Sequence, residues 1–455
     1  MCTPCTNVPY DVIHLGAEHC VTGSCHLLKA NSINILVDCG TAQGSDPLIP
    51  MKDWPVLPSE VNYLFLTHAH IDHTGRVPEL IRQGFKGEII TTHATRALLV
   101  PMLRDCMALA SMAEREITAL ERRIDALCWG FEYAREFDLE RGIRFKLGRA
   151  GHILGSCSIR FSSADPEWSV LFSGDLGAKD TPILCDPDIP EPADLLVMES
   201  TYGDRIHEGK RYRIERLGAI LTRALSDGGK VFIPCFALGR TQELIYEMDR
   251  LFSEPEYTLQ FPELSPKSRP PVFLDSPLGL EVTKIYSRLT EYWDKEAKLL
   301  LNHGDHPIDF EHLYAVRDHK NHHRLLRVAG PCIIIAGSGM CTGGRIVDHL
   351  LSGLEDPAND VFFVGYQAGG TPGRDIIRYS KRTGGYSRLD GRRVDIRARV
   401  HTLTGYSAHA DQQGLIEWVE SMPGRPRHIK LVHGEHQAQQ VLAKKLKEKG
   451  HSVLT

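Results

Sequence analysis

The stretch THAHIDHTGR, residues 67–76, crowds His68, His70, Asp72 and His73 into six positions. It follows VNYLFL (61–66), an apolar run that reads as a buried strand. Three imidazoles and a carboxylate at a strand end bring no packing benefit. They are, however, the donors that zinc takes in hydrolytic sites. His68 and His70 alternate and can aim at one point. Asp72 and His73 come as the chain turns, so they can serve a second metal about 3.5–4 Å away.

Two metals need more donors, among them a bridging carboxylate. His152 in AGHILGS, Asp175 in FSGD, His433 in LVHGE and Asp38 in LVDCG all stand in turns after apolar strands. Taken singly, each is more simply an ordinary turn residue, because Asp and His are common in turns.

The chain around this stretch has 455 residues, 42% hydrophobic and 24% charged, which suits a soluble globular protein of two or more domains. It has no run of about 18 apolar residues, and MCTPCTNVPYDV lacks a charged n-region, so no membrane span and no signal peptide are expected. The 12 cysteines then read as reduced thiols in a cytoplasm. Cys2 and Cys5 form a lone CxxC, read as part of a disordered terminus rather than a zinc knuckle. A net charge of −5 does not advertise a nucleic-acid binder, although a local basic groove is compatible with it.

Short apolar runs alternate with helical patterns, which predicts α/β layers. NILVD (34–38), YLFLT (63–67), SVLFSGD (169–175) and LLVMES (195–200) read as strands, and 76–84 as a helix. Residues 95–136 read as a charged helical pair. A second series runs through KVFIPCF (230–236), PVFLDSP (271–277), PCIIIAGSG (331–339) and DVFFVGYQ (360–367), with helices at 216–229 and 239–252. Residues 253–271, with five prolines, read as an exposed loop, and HKNHHR (319–324) as a solvated turn. Helices at 414–422 and 437–450 flank the strand HIKLVHGE (428–435).

HxHxDH with a later His, a later Asp and a C-terminal His resembles the metallo-β-lactamase superfamily. The resemblance implies an α/β fold, an αββα sandwich. One zinc would take His68, His70 and His152, and the second Asp72, His73 and His433. Asp175 would bridge the two Zn2+, and Asp38 would orient the ligands without binding metal.

Further motifs resemble the β-CASP ribonuclease group, and the short bacterial relatives of the mRNA 3′-end processing endonuclease in particular. MESTYGD (198–204) is similar to its motif A with Glu199, YSAHAD (406–411) to motif B with His409, and LVHGE to motif C with His433. IPCFALGRTQEL, FLDSPL, GSGMCTGGR and FVGYQAGGTPGR are similar to the inserted domain. The implied division is 1–203 and 394–455 for the metallo-β-lactamase domain and 204–393 for an inserted α/β β-CASP domain. That domain would cover the metal site and leave a cleft. Barely a dozen residues precede the core and one helix follows motif C, as in those short relatives.

The activity so implied is hydrolysis of single-stranded RNA by a two-metal-activated hydroxide, endonucleolytic or from the 5′ end, in RNA processing or decay. His409 would protonate the leaving 3′-oxygen and Glu199 would hold its other nitrogen, with Asp72 counted in the catalytic set. His433 at motif C favours RNA over DNA. Arg240, Arg345, Arg374 and Ser407 are weaker expectations for substrate contact, and for the arginines pairing at a helix terminus is an equal alternative. A DNA nuclease, a small-molecule esterase or lactamase and an inactive RNA-binding scaffold stay open beside this reading. So does a homodimer.

Overall fold

Successive side chains of a strand point to opposite faces, so a sheet sandwiched between layers shows apolar residues in both registers. Tyr63 and Phe65 face one core of this chain, and Leu64 and Leu66 face another. The computed structural model describes residues 9–207 and 212–454, so the Cys2/Cys5 pair lies outside the described residues. These fall into two compact units. One runs to Lys179 and adds Asp186–Ile206 and the chain from His409 on; the other is Asp180–Cys185 with His207–Ala408.

The first unit contains two sheets. The first sheet has the order β1 (Tyr10–Gly16), β2 (Cys25–Ala30), β3 (Ile33–Val37), β4 (Tyr63–Phe65), β5 (Glu88–Thr92), β6 (Cys128–Phe131). The second begins with β7 (Glu136–Asp138), β8 (Ile143–Arg149), β9 (Cys157–Ala164), β10 (Glu167–Phe172) and β11 (Leu195–Glu199). Phe65, Phe145, Phe161, Phe172 and Val197 pack between the sheets. Helices His93–Leu109 and Glu114–Leu127 cover the outer face of the first sheet through Leu99, Leu103, Ile117 and Ile124.

The second unit holds β12 (Lys230–Pro234), β13 (Val272–Asp275), β14 (Leu313–Ala315), β15 (Cys332–Ala336), β16 (Asp360–Phe363), a hairpin of β17 (Tyr386–Leu389) and β18 (Arg392–Asp395), and β19 (Arg399–Thr402). Its six-stranded sheet, order β14-β13-β15-β12-β16-β19, is parallel throughout. Burial on both faces accounts for the unbroken apolar runs CIIIA and VFF. The chain then returns to the first unit. There β20 (His428–Val432) joins β11, and β21 (Val453–Leu454) joins β20. Helices Gln412–Glu420 and His436–Glu448 cover this outer face through Leu415, Trp418 and Leu442. The first unit is thus an αββα sandwich, and the second an α/β unit.

Three local expectations need correction. The helical pair ends at Leu127, and CWGF extends as β6 beside β5, because the aromatic residues favour a strand and the glycine disfavours a helix. The proline-rich 253–271 stretch is not simply an exposed loop. Pro255 opens helix Pro255–Gln260 at its first position, where its missing N–H costs nothing, and Phe261 and Leu264 are buried. HKNHHR is not a solvated turn but the start of helix His319–Leu326, capped by Asp318, with His322 buried. No helix among the described residues is long and apolar enough to cross a membrane.

Candidate metal centre

The site is built where strands end. His68 lies three residues past β4, His152 three past β8, Asp175 three past β10, and His433 one past β20. Asp72 and His73 stand in the single helical turn Ile71–Thr74. Asp38, one residue past β3, and His433 both adopt left-handed backbone, φ 61° and 49°. Such strain persists only where surrounding bonds hold it.

Here those bonds aim imidazoles. Asp38 Oδ2 meets His73 Nδ1 at 2.7 Å, and its carboxylate also accepts the Thr67 amide and hydroxyl. Thr67 Oγ1 lies 3.1 Å from His68 Nδ1, and Thr201 Oγ1 lies 3.1 Å from His433 Nδ1. Holding one ring nitrogen turns the other toward a metal. The two threonines were missed in the sequence, where their only signal is adjacency: each hydroxyl sits inside a motif, THAH and MEST.

The freed nitrogens converge in two groups. His68 Nε2 and His152 Nε2 each lie 3.1 Å from His70 Nδ1. His73 Nε2 and His433 Nε2 are 3.1 Å apart, with Asp72 Oδ2 at 3.9 and 3.7 Å from them. Asp175 serves both groups, one oxygen each. Its Oδ2 is 3.6 Å from His68 Nε2 and 3.5 Å from His152 Nε2. Its Oδ1 is 3.3 Å from His73 Nε2 and 3.5 Å from His433 Nε2.

These residues fit zinc. Two ligands on a tetrahedral zinc, each about 2.0–2.1 Å from it, stand roughly 3.3–3.4 Å apart. The nitrogen and oxygen separations above bracket that value. Asp175 Oδ1 is buried and makes no hydrogen bond. Leaving a buried charged oxygen unpaired costs more than leaving a neutral one, unless a cation answers it. Five imidazoles and two carboxylates are also the donor chemistry that suits this metal.

Burial lowers the His68 pKa well below the usual range, which keeps its ring a neutral donor. Burial pushes Asp175 the other way, but the facing His433 and His73 outweigh it and hold the carboxyl well below its usual pKa.

Next to this cluster stands a carboxylate–imidazole pair. Glu199, the last residue of β11, accepts the Leu176 amide at 2.7 Å and His409 Nδ1 at 3.0 Å. Burial alone would lower the His409 pKa; the charges of Glu199 and Asp175 win and raise it above its ordinary value. His409 Nε2 points into the cluster, 3.9 Å from Asp175 Oδ2.

The expected substrate contacts belong to the second unit. Arg240 is buried, donates from Nη1 to the Tyr406 carbonyl at 2.7 Å and pairs through Nη2 with Glu243. Arg345 donates to Asp275 Oδ1 at 2.7 Å and to the carbonyls of Val316 and Arg317. Both guanidiniums have partners inside the fold, in line with the alternative of pairing rather than phosphate contact. Arg374 is half-buried and donates to the Gln367 carbonyl at 3.2 Å. Ser407 is buried with its hydroxyl unbonded among the described residues.

Known proteins agree with this geometry. Residues 20–212 match the metallo-beta-lactamase superfamily, 241–376 the Beta-Casp domain, and 393–455 the Zn-dependent metallo-hydrolase RNA specificity domain. The chain is 38% identical over 445 residues to "Ribonuclease TTHA0252" of Thermus thermophilus, covering 97% of each chain. It is 29% identical to transcription termination factor FttA of Methanocaldococcus jannaschii, covering 93% of this chain and 67% of that one. It is 29% identical to cleavage and polyadenylation specificity factor 73 of Drosophila melanogaster, covering 92% and 59%. In fold it matches a protein of unknown function from Enterococcus faecalis V583 with a TM-score of 0.55 and 13% identity, over 98% of this chain and 97% of that one. The chain belongs to the metallo-β-lactamase superfamily and, within it, to the Beta-Casp group.

Proposed function

We propose that this protein is a zinc-dependent ribonuclease that hydrolyses phosphodiester bonds of single-stranded RNA. The observation that carries the reading is Asp175, a buried carboxylate with one oxygen turned to each of two donor groups, beside the Glu199–His409 pair. In this reading His68, His70 and His152 hold one zinc, Asp72, His73 and His433 hold a second, and Asp175 is common to both. When bound, zinc supplies a Lewis acid for phosphoryl oxygens and lowers the pKa of water to about 7.

The chain's own groups do the rest. Asp38, Thr67 and Thr201 fix the rings of the ligating histidines. Glu199 anchors His409 Nδ1 and favours the imidazolium, leaving Nε2 to give its proton to the departing 3′-oxygen. Attack by water leaves a 5′-phosphate and a 3′-hydroxyl, with no role for the 2′-hydroxyl. In this proposal residues 1–203 and 394–455 make up the metallo-β-lactamase part and 204–393 the inserted β-CASP part, although residues up to Ala408, β19 among them, group with the second unit. A place in the cytoplasm is part of this proposal, supported by the bacterial ribonuclease relative.

The test is cleavage of a 5′-labelled single-stranded RNA beside DNA of the same sequence, with and without chelator. Chelator-sensitive RNA fragments are expected, and their sizes separate internal cuts from cuts at the 5′ end. Intact RNA with metal-loaded protein would reject the reading.

A further inference from the structure

Between Ile377 and Ala398 the chain carries seven basic residues against two acidic ones, a local charge of +5 in a chain of net charge −5. The centre of this segment, 377–392, falls between the stretches matched by the Beta-Casp and RNA specificity domains. It contains most of the β17–β18 hairpin, a part of the fold that the metal site does not use.

The hairpin is firmly seated. Asp390 and Gly391 take left-handed backbone (φ 46° and 75°), as a tight two-residue turn demands. Leu389 and Val394 point inward and join the core formed with Ile346, Leu350 and Ile376. The opposite face is solvent-exposed and carries Tyr386, Arg388 and Arg393, with Arg392 beside the turn.

Arg388 and Arg393 are direct cross-strand partners. Like charges placed opposite one another destabilise a strand pair. Among the described residues, the only one of the seven basic side chains with a carboxylate in ion-pair range is Arg393, 3.5 Å from Asp395. The helical pair His93–Leu109 and Glu114–Leu127 behaves differently: Arg104 pairs with Glu121 at 2.8 Å and with Glu114, and Arg96 meets Asp125 at 3.4 Å. Aromatic rings are interleaved with the hairpin's charges. The Arg393 guanidinium lies 4.1 Å from the Tyr386 ring centroid, and those of Arg378 and Arg382 lie 5.5 and 5.3 Å from Tyr379. Guanidiniums of which all but Arg393 lack a carboxylate partner among the described residues, set beside aromatic faces, suit a single-stranded nucleic acid backbone and its bases.

We propose that the exposed face of the β17–β18 hairpin, with the preceding Arg378 and Arg382, is a secondary binding surface for the phosphate backbone of single-stranded RNA. It rests on the ribonuclease reading and deepens it: in this proposal the hairpin holds nucleotides other than those at the scissile bond, so a long RNA gains from it and a very short one does not.

The experiment compares wild type with Arg388→Glu/Arg393→Glu. Binding of a labelled 30-nucleotide single-stranded RNA is followed by anisotropy under chelator, and cleavage of that RNA and of a hexanucleotide is followed with zinc. The variant is expected to bind the long RNA about tenfold more weakly. Its log–log salt slope is expected to be shallower by about 1.4, the share of two phosphate contacts on a single strand. Cleavage of the hexanucleotide is expected to be unchanged. Arg388→Lys/Arg393→Lys should restore the salt slope, because the charge is kept.

Unchanged binding and slope would overturn the proposal. An equal loss on both RNAs would overturn it too, since the hairpin would then act through the fold. Loss of binding to phosphatidylserine vesicles without loss of RNA binding would assign the face to lipid instead. If wild type cuts neither RNA, the ribonuclease reading fails, while the anisotropy still decides the hairpin.

Discussion

Asp175 and Asp275 are both buried carboxylates at or just past a strand end, and both have histidine nitrogens around them. Around Asp275 the contacts are hydrogen bonds: His322 Nδ1 at 2.6 Å, His349 Nε2 at 2.7 Å and Arg345 Nη1 at 2.7 Å. These are shorter than the roughly 3.3 Å that separates ligands on a zinc ion. The guanidinium already supplies the positive charge. Burial would raise the Asp275 pKa, but these three donors outweigh it and lower it. Around Asp175 no guanidinium approaches among the described residues, the separations are 3.3–3.6 Å, and one oxygen makes no hydrogen bond. Asp275, His322 and His349 lie close enough to converge on an ion, yet they close on themselves. The same residue types make a network with a fully paired carboxylate in one unit and an open donor set in the other. What differs is whether a permanent cation is built in.

The largest expected effect separates these two directly. Asp175→Asn should lose bound zinc, read by elemental analysis, and cleave RNA at background rate, whereas Asp275→Asn should keep its zinc. Equal zinc in all three proteins would erase the distinction. His409→Ala should keep the metal and lose about 10²–10⁴-fold in rate; wild-type turnover in that variant would remove His409 from the mechanism. Asp275→Asn should cost about 3–5 kcal/mol of stability, because Arg345 is left largely buried without its partner. Denaturant unfolding measures this, and a loss below about 1 kcal/mol would mean the network is not needed.

Asp38→Asn, which loosens the hold on His73 and on Thr67, should weaken zinc affinity or activity by about 10–100-fold. Glu199→Gln should act on the pH profile. The raised His409 pKa keeps the proton donor charged to higher pH, so activity is present below that pKa and falls as pH rises through it. Removing the Glu199 charge lowers the pKa, so the alkaline limb should move to lower pH. An unmoved limb would show that another group sets it.

Much of the first site was legible because four of its residues are consecutive or nearly so. HAHIDH has no other use at a strand end, and strand–turn placement then nominated His152, Asp175 and His433. What the arginines pair with was not legible, for the opposite reason. A glycine-rich strand end marks Arg240 and Arg345 as loop residues, but only packing reveals that Glu243 and Asp275 already claim them. His322 was misread in the same way: HKNHHR is polar throughout, and its one buried histidine is picked out by a carboxylate 47 positions away. The basic hairpin was present in the sequence as charge, but the scarcity of carboxylates beside it was not.

The sequence by itself determined the donor types, the apolar strand runs that place them in turns, and the α/β alternation of both units. Periodicity and chemistry are local, so they survive in one dimension. Only the tertiary structure decided which atom faces which. It set Asp175 Oδ2 toward His68 and His152 and Oδ1 toward His73 and His433, two residues 360 positions apart. The reason is physical. A buried charge must find its partner across space, and that choice depends on how distant strand ends converge, which no local pattern records.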